Sequence, residues 1–500
     1  MNTPSLRASY QDTPYPSRPV PLSHPDHLYV VGRVHGLSPA PVAAARVLEL
    51  GCGAGGNLLP MTASLPDARF LGLDLSERQV EMARAAARAA GLANVEFLAG
   101  DALVLAEQHD WPPFNYVILH GLYSWVPLPV RDALLPLCRR LLADNGIVYV
   151  SYNTYPGWHG RGLVRELMLR AACDATEPAA RAARARAALD DLISAYAQTD
   201  DSYAKLLAEE KARVDELEDS FLLHDLLEVE NHPIYLDEFL DQASAAGLRF
   251  VSEANVAASR AENLSPQAQQ QLAAIAGLTA REQRIDFLLN RSFRQTLLCP
   301  GRLDVQRQIN PAWLADLYLA SSARPLRRDS NGAPGERFFA TPDGGRIGMT
   351  APGAIAALNH LAMTWPDFIA FEELAATVGD RDIVAQLAID LYPRNWLELS
   401  PRPAGFATEP GPKPMATALT RWQITQGALV TDLRHRSVSI TDPFTRQLLP
   451  YLDGSREREA LISIMGEFER DNSTDAANDD PETVLAAALH QLAERCLLVQ

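Results

Sequence analysis

Cysteine is scarce in this chain: five in 500 residues, scattered at 52, 138, 173, 299 and 496 with no closely spaced pair. That excludes a disulfide frame and a cysteine-bound zinc, and it fits a reducing compartment, the cytoplasm. Basic residues are also in short supply, with 45 Lys and Arg against 62 Asp and Glu and a net charge of −17. A chain this acidic has no general attraction for a phosphate backbone, so nucleic acid is not an expected partner. Long apolar runs are missing too, and none approaches the roughly 18 residues of a membrane span. The opening MNTPSLRASY lacks the basic and apolar stretches of an export signal. Metal ligands are not grouped: His24 and His27 stand in a proline-rich stretch, read as loop, with no further ligands nearby. No metal site is expected.

What is present is material for several cores. At 47% hydrophobic residues over 500 positions, two to four domains are expected. Residues 1–45, rich in proline, read as an extended arm without a core of its own. From Arg46 onward, short apolar runs at 47–50, 69–73, 95–98, 116–119 and 147–150 read as strands, with helices over 76–90 and 128–143. Strands separated by helices predict a parallel sheet covered on both faces. About seventy helical residues follow Trp158 and include the stretch 200–230, with eleven acidic and three basic residues, read as a solvated face able to attract a cationic substrate. Two later runs, 248–251 and 292–299, are expected to complete the same sheet, so that 161–303 is a helical insertion plus the end of the sheet. Residues 304–413 and 414–500 each have the size and order of a winged-helix unit, and PRPAGFATEPGPKP at 401–414 links them. The Asn/Asp-rich piece 469–481 reads as a mobile loop. The fold class is α/β.

The chemistry concentrates at strand ends. VLELGCGAGGN, 47–57, satisfies GxGxxG with Gly51, Gly53 and Gly56, which by itself allows several nucleotide cofactors, and its glycines, Gly55 among them, are expected to let the backbone pass close to the ligand. Glu49 discriminates among them: beside a pyrophosphate it would be repelled, whereas the ammonium and sulfonium of S-adenosylmethionine would be attracted. Asn57 either caps the next helix or touches the ligand. GLDLS, 72–76, places Asp74, followed by Leu75, nineteen residues beyond Gly55, where a carboxylate accepts ribose hydroxyls. AGDAL, 99–103, places Asp101 to accept from an adenine amino group while the Ala102 backbone donates. All three motifs sit at carboxyl ends of successive parallel strands, the ligand edge of open α/β sheets.

The fourth and fifth strands end in HGLYSWVP and VSYNTYPGW. They bring His120, Gly121, Tyr123, Trp125, Tyr152, Asn153, Tyr155 and Trp158 toward the transferable methyl group. Aromatic faces there can hold an alkylammonium at roughly 0.5–2 kcal/mol each, with about half of them expected to pack under helices instead.

Together these motifs resemble class I S-adenosylmethionine-dependent methyltransferases, and among them the bacterial enzymes that carry a methyltransferase regulatory domain. That family includes protein lysine methyltransferases acting on outer-membrane proteins. The resemblance continues through SFLLHDLLEVENHPIYLDEFL (220–240) and REQRIDFLLNRSFRQTLLC (281–299) into the winged-helix-like end. It implies that Glu49, Gly51, Gly53, Asp74 and Asp101 hold the cofactor, and that an arm with Tyr10, Pro14 and Tyr15 folds over the site. The expected reaction is methyl transfer to a protein lysine, with His120, Tyr123 and Tyr152 orienting or deprotonating the acceptor. A small-molecule acceptor and a non-catalytic, cofactor-sensing adaptor are the alternatives.

Overall fold

The computed structural model of the chain describes residues 16–196, 201–260, 264–326, 335–472 and 480–500. Seven strands form one sheet: β1 (Arg46–Leu50), β2 (Arg69–Asp74), β3 (Val95–Ala99), β4 (Phe114–Leu119), β5 (Leu142–Asn153), β6 (Leu248–Glu253) and β7 (Phe293–Pro300). Their order is β3-β2-β1-β4-β5-β7-β6. The chain order reverses direction between β1 and β4, which makes that crevice the topological switch point where ligands bind. Strands and helices fall where the apolar runs place them. The helix after β2 (Glu77–Ala89) starts at Ser76, whose hydroxyl accepts from the Gln79 N–H.

Three expectations need correction. The sheet is mixed, because β7 runs antiparallel to both β5 and β6; the apolar runs fix the strands but carry no direction. The proline-rich arm contains a ten-residue helix (α1, Pro25–Val34) whose Leu28, Val30, Val31 and Val34 are at most 1% exposed. Burying four such side chains stabilises its docking on the sheet by about 1.5–3 kcal/mol each. His27 belongs to that helix and His24 caps its start, so neither stands in a loop without structure. His24 Nδ1 accepts from the Asp26 N–H at 3.1 Å, and His27 Nε2 lies 2.7 Å from the carbonyl of Ala254.

The insertion after β5 is helical, from Trp158–Ala172 through Pro178–Ala195 and Ser202–Asp215 to the short Asp219–Asp225. It buries a cluster of its own around Trp158, Met168 and Leu207. Leu278–Leu289 then leads into β7. Beyond the sheet, residues 318–400 combine two three-stranded sheets with helices Pro352–Thr364, Phe371–Val378 and Arg381–Leu391. Their core, with Leu319, Leu358 and Leu374, is continuous with that of α1 and one face of the large sheet. The last unit keeps a separate core around Leu448, Leu452 and Leu489, and carries a hairpin of Leu429–Thr431 and Ser437–Ser439. Of the expected loop at 469–481, residues up to Asn472 continue a helix, and 473–479 lie outside the described residues.

Candidate active site

At the carboxyl ends of β1, β2 and β4 lies a cavity of about 290 Å³. The glycine loop after β1 forms its floor: Gly51 and Gly53 adopt φ of 75° and 54°, which glycine alone reaches freely. Asp74 ties this loop to the next strand end, with Oδ2 accepting the Gly53 N–H and Oδ1 the Ser76 N–H, both at 2.8 Å. Leu75, Asp101 and Ala102 line the same wall. Asp101 also starts the following helix, its Oδ1 accepting the Leu103 N–H at 2.8 Å.

Glu49 is 2% exposed. One carboxyl oxygen accepts from Asn57 Nδ2 at 2.7 Å, while Oε2 has no partner. Burial pushes its carboxyl up to about 8, against the pull of Asn57, and the nearby Asp74 adds to the rise. A second buried acceptor on the cavity, Gln79 Oε1, is likewise unpartnered. Buried acceptors without donors are costly, and here they await a ligand that brings N–H donors and positive charge. The residues present therefore fit S-adenosylmethionine. Asn57 does not cap its helix; it lines the cavity and holds Glu49. Gly55 is placed differently from the expectation, against Phe97 and Ala83 under the sheet, where a Cβ would come within 3.2 Å of both. Its role is helix–sheet packing.

His120 lines the cavity as expected, and burial pushes its pKa down to about 4. Its Nδ1 is 3.0 Å from the Tyr149 hydroxyl, which in turn accepts from Gln295 Nε2 at 2.6 Å. The ring is held neutral by burial, and the Tyr149–Gln295 pair fixes its orientation toward the cavity. Gln295 stands on β7, so the late strand helps orient a cavity residue.

Of the aromatics expected at the acceptor end, Trp125 lines the cavity and the others do not. Tyr123 is fully buried on the opposite side, packed edge-on against Phe239 and bonded to Gln242 Oε1. Tyr152 stacks on Phe239 at 4.2 Å, with its hydroxyl 3.1 Å from Thr296 Oγ1. Both are core residues under the helix Leu236–Ala245, and neither lines the cavity. Tyr155 stacks on His159 at 4.3 Å, and Trp158 belongs to the insertion's core. Tyr10, Pro14 and Tyr15 lie outside the described residues.

The cavity is completed by the end of the arm, which the resemblance had folding over the site, and by a short helix that no site motif signalled. Pro16 to Arg18 run across the glycine loop, where the Gly56 N–H donates to Ser17 Oγ at 2.7 Å. A Cβ on Gly56 would stand 2.2 Å from the Ser17 carbonyl oxygen, so only glycine admits the arm. Opposite, Phe221, His224 and Asp225 come from the helix Asp219–Asp225, and Arg18 sits over the Phe221 ring at 4.8 Å. The acidic composition of this stretch hid the apolar FLL that turns it inward. Burial raises the Asp225 carboxyl to about 6, with Arg161 opposing.

Comparison with known proteins agrees with this geometry. Residues 47–146 match the family described as "Methyltransferase domain", 218–300 the "Predicted methyltransferase regulatory domain", and 412–498 the "PKMT, C-terminal winged helix domain". An uncharacterized protein of Rickettsia prowazekii is 30% identical over 485 residues, covering 93% of this chain and 87% of that protein. A Synechocystis protein, also uncharacterized, is 32% identical over 276 residues, covering 54% of each chain. The structure of PKMT2 from Rickettsia typhi in complex with AdoHcy superposes with a TM-score of 0.85 at 28% identity, covering 97% of this chain and 100% of that one. A buried carboxylate at the glycine loop, an open seven-stranded sheet and a full-length relative thus converge: the chain belongs to the S-adenosylmethionine-dependent methyltransferases that carry a regulatory domain and a C-terminal winged helix.

Proposed function

We propose that the enzyme transfers methyl to the ε-amine of a lysine in a protein. The observation that carries this reading is the full-length likeness to PKMT2, a protein lysine methyltransferase by name. The cavity's own chemistry supports it. When bound, S-adenosylmethionine supplies a sulfonium-activated methyl group that an unprotonated amine takes by in-line displacement. Glu49 and Gln79 offer acceptors to the cofactor's ammonium, Asp74 to its ribose and Asp101 to its adenine. Trp125 and Phe221 give an arriving alkylammonium aromatic faces, and Asp225, ionised at pH 7, gives it a carboxylate. Closure by the arm and the Asp219–Asp225 helix excludes water, which favours the neutral amine and fixes its approach. Scattered, unpaired cysteines fit action in the cytoplasm, and among the described residues no helix is long and apolar enough to cross a membrane.

Labelled methyl from S-adenosylmethionine, given to lysate of a strain lacking the gene, should enter discrete protein bands with the native enzyme and not with Asp74→Ala, and should be recovered as methyl-lysine. Label confined to small molecules would refute the lysine reading.

Glu49 gives a pH prediction. Below about 8 its carboxyl is neutral in the free protein, and a bound cation would hold it ionised, so cofactor binding releases a proton. Affinity for S-adenosylmethionine should therefore rise by up to about tenfold per unit between pH 6 and 8 and level off above. Glu49→Gln should remove that slope. Calorimetry across pH reads it, and a flat native profile would take Glu49 away from the cofactor's cation.

A further inference from the structure

Asn57, which holds Glu49, is itself held from the far end of the chain. His435 stands in the turn of the C-terminal hairpin at φ 60°. That conformation is unfavourable for a residue with a side chain, and it persists only where the surroundings enforce it. The preceding residue of the turn, Arg434, pins it to the middle unit, with Nη1 2.7 Å from Glu398 Oε2 and the guanidinium over Trp365 at 4.3 Å. The His435 ring is buried, and its Nε2 lies 2.8 Å from Asn57 Oδ1, 378 residues away in sequence. The Val20 N–H, from the arm, donates to the same oxygen at 2.8 Å.

An amide oxygen accepts and an amide nitrogen donates. Two donors on Oδ1 therefore decide which way round the Asn57 amide sits, and Nδ2 is left to donate to Glu49 Oε1 and to Ser23 Oγ at 2.7 and 3.0 Å. Reversed, the amide would set its oxygen against the carboxylate. We propose that His435 is a positioning residue for the cofactor: through Asn57, the C-terminal winged helix keeps the Glu49 carboxyl aimed and ready to ionise. The last domain is then part of the cofactor site. By reciprocity, whatever free energy its docking contributes to cofactor binding, the cofactor returns to docking. The inference rests on the reading of Glu49 as the cofactor's carboxylate.

The test is calorimetric titration of full-length protein with AdoHcy, paired with thermal melting. His435→Gly removes the donor and relieves the positive φ; His435→Asn, also at home there, is one atom too short. His435→Gln carries an N–H at the same number of bonds from Cα as Nε2. The glycine and asparagine variants should bind AdoHcy about fivefold to tenfold more weakly, with a raised KM for S-adenosylmethionine and kcat nearly unchanged. The glutamine variant should return to within about twofold. Wild-type binding by either donor-less variant, or a glutamine variant as weak as they are at an unchanged melting temperature, overturns the proposal. Glu49→Gln is the control: if it alone weakens binding, the relay is wrong and the Glu49 reading stands, whereas wild-type affinity in Glu49→Gln removes both.

Discussion

Replacing Asp74 by alanine is expected to raise the dissociation constant for AdoHcy by about a hundredfold. The carboxylate bridges two backbone N–H groups at 2.8 Å, one from the glycine loop and one from the helix start, and still has lone pairs for a ribose. Hydrogen bonds to a charged group contribute about 1.5–3 kcal/mol each. Losing the ligand contact while the loop loses its tether reaches about 2.7 kcal/mol, two decades in affinity. Asp74→Asn, which keeps one acceptor, should fall between. Titration calorimetry measures both, and an alanine variant within threefold of the native value would show that Asp74 serves the loop alone.

The larger effect on stability lies elsewhere. Arg294, on β7, is 1% exposed. Its Nε and Nη2 bond Asp286 at 2.9 and 2.8 Å, Nη1 bonds Glu253 at 2.6 Å, and Glu282 stands 3.5 Å from Nη2. One guanidinium thus faces three carboxylates from β6 and the helix Leu278–Leu289. Arg294→Met fills similar space but leaves those carboxylates with Arg291 as the remaining close cation. Removing one partner of a buried ion cluster costs about 3–5 kcal/mol, a large share of a domain's stability. Chemical denaturation at pH 7 should show that loss, and a change below 1 kcal/mol would mean the cluster is not what fastens the regulatory segment to the sheet.

The cofactor half of the site was readable from residues because strand ends are marked twice, by an apolar run and by the glycine or aspartate that follows. Glu49, Gly53, Asp74 and Asp101 all lie where those marks place them. The acceptor half was not. After β4 the chain leaves regular structure, so no period of two tells which of His120, Tyr123 and Trp125 faces inward, and Tyr123 turns into the core beside Phe239. The later strands were legible as apolar runs, yet the position of β7 between β5 and β6 depends on pairings such as Tyr149 with Leu297, which no local pattern encodes. Asn57 illustrates the limit most sharply. Its neighbours in sequence suggest a helix cap, while its actual partners are Val20, Ser23, Glu49 and His435.

The place of β7 in the sheet also bears on how the polypeptide is made. Strands β1 to β5 are synthesised within the first 153 residues, but the partner that covers the β5 edge spans residues 293–300. During translation, a nascent chain carrying the complete glycine loop presents an open, apolar strand edge for well over a hundred residues of further synthesis. Such an edge is a template for pairing with other chains, and pairings so distant in sequence form slowly. Truncations ending before residue 293 are therefore expected to aggregate even though they contain every cofactor motif.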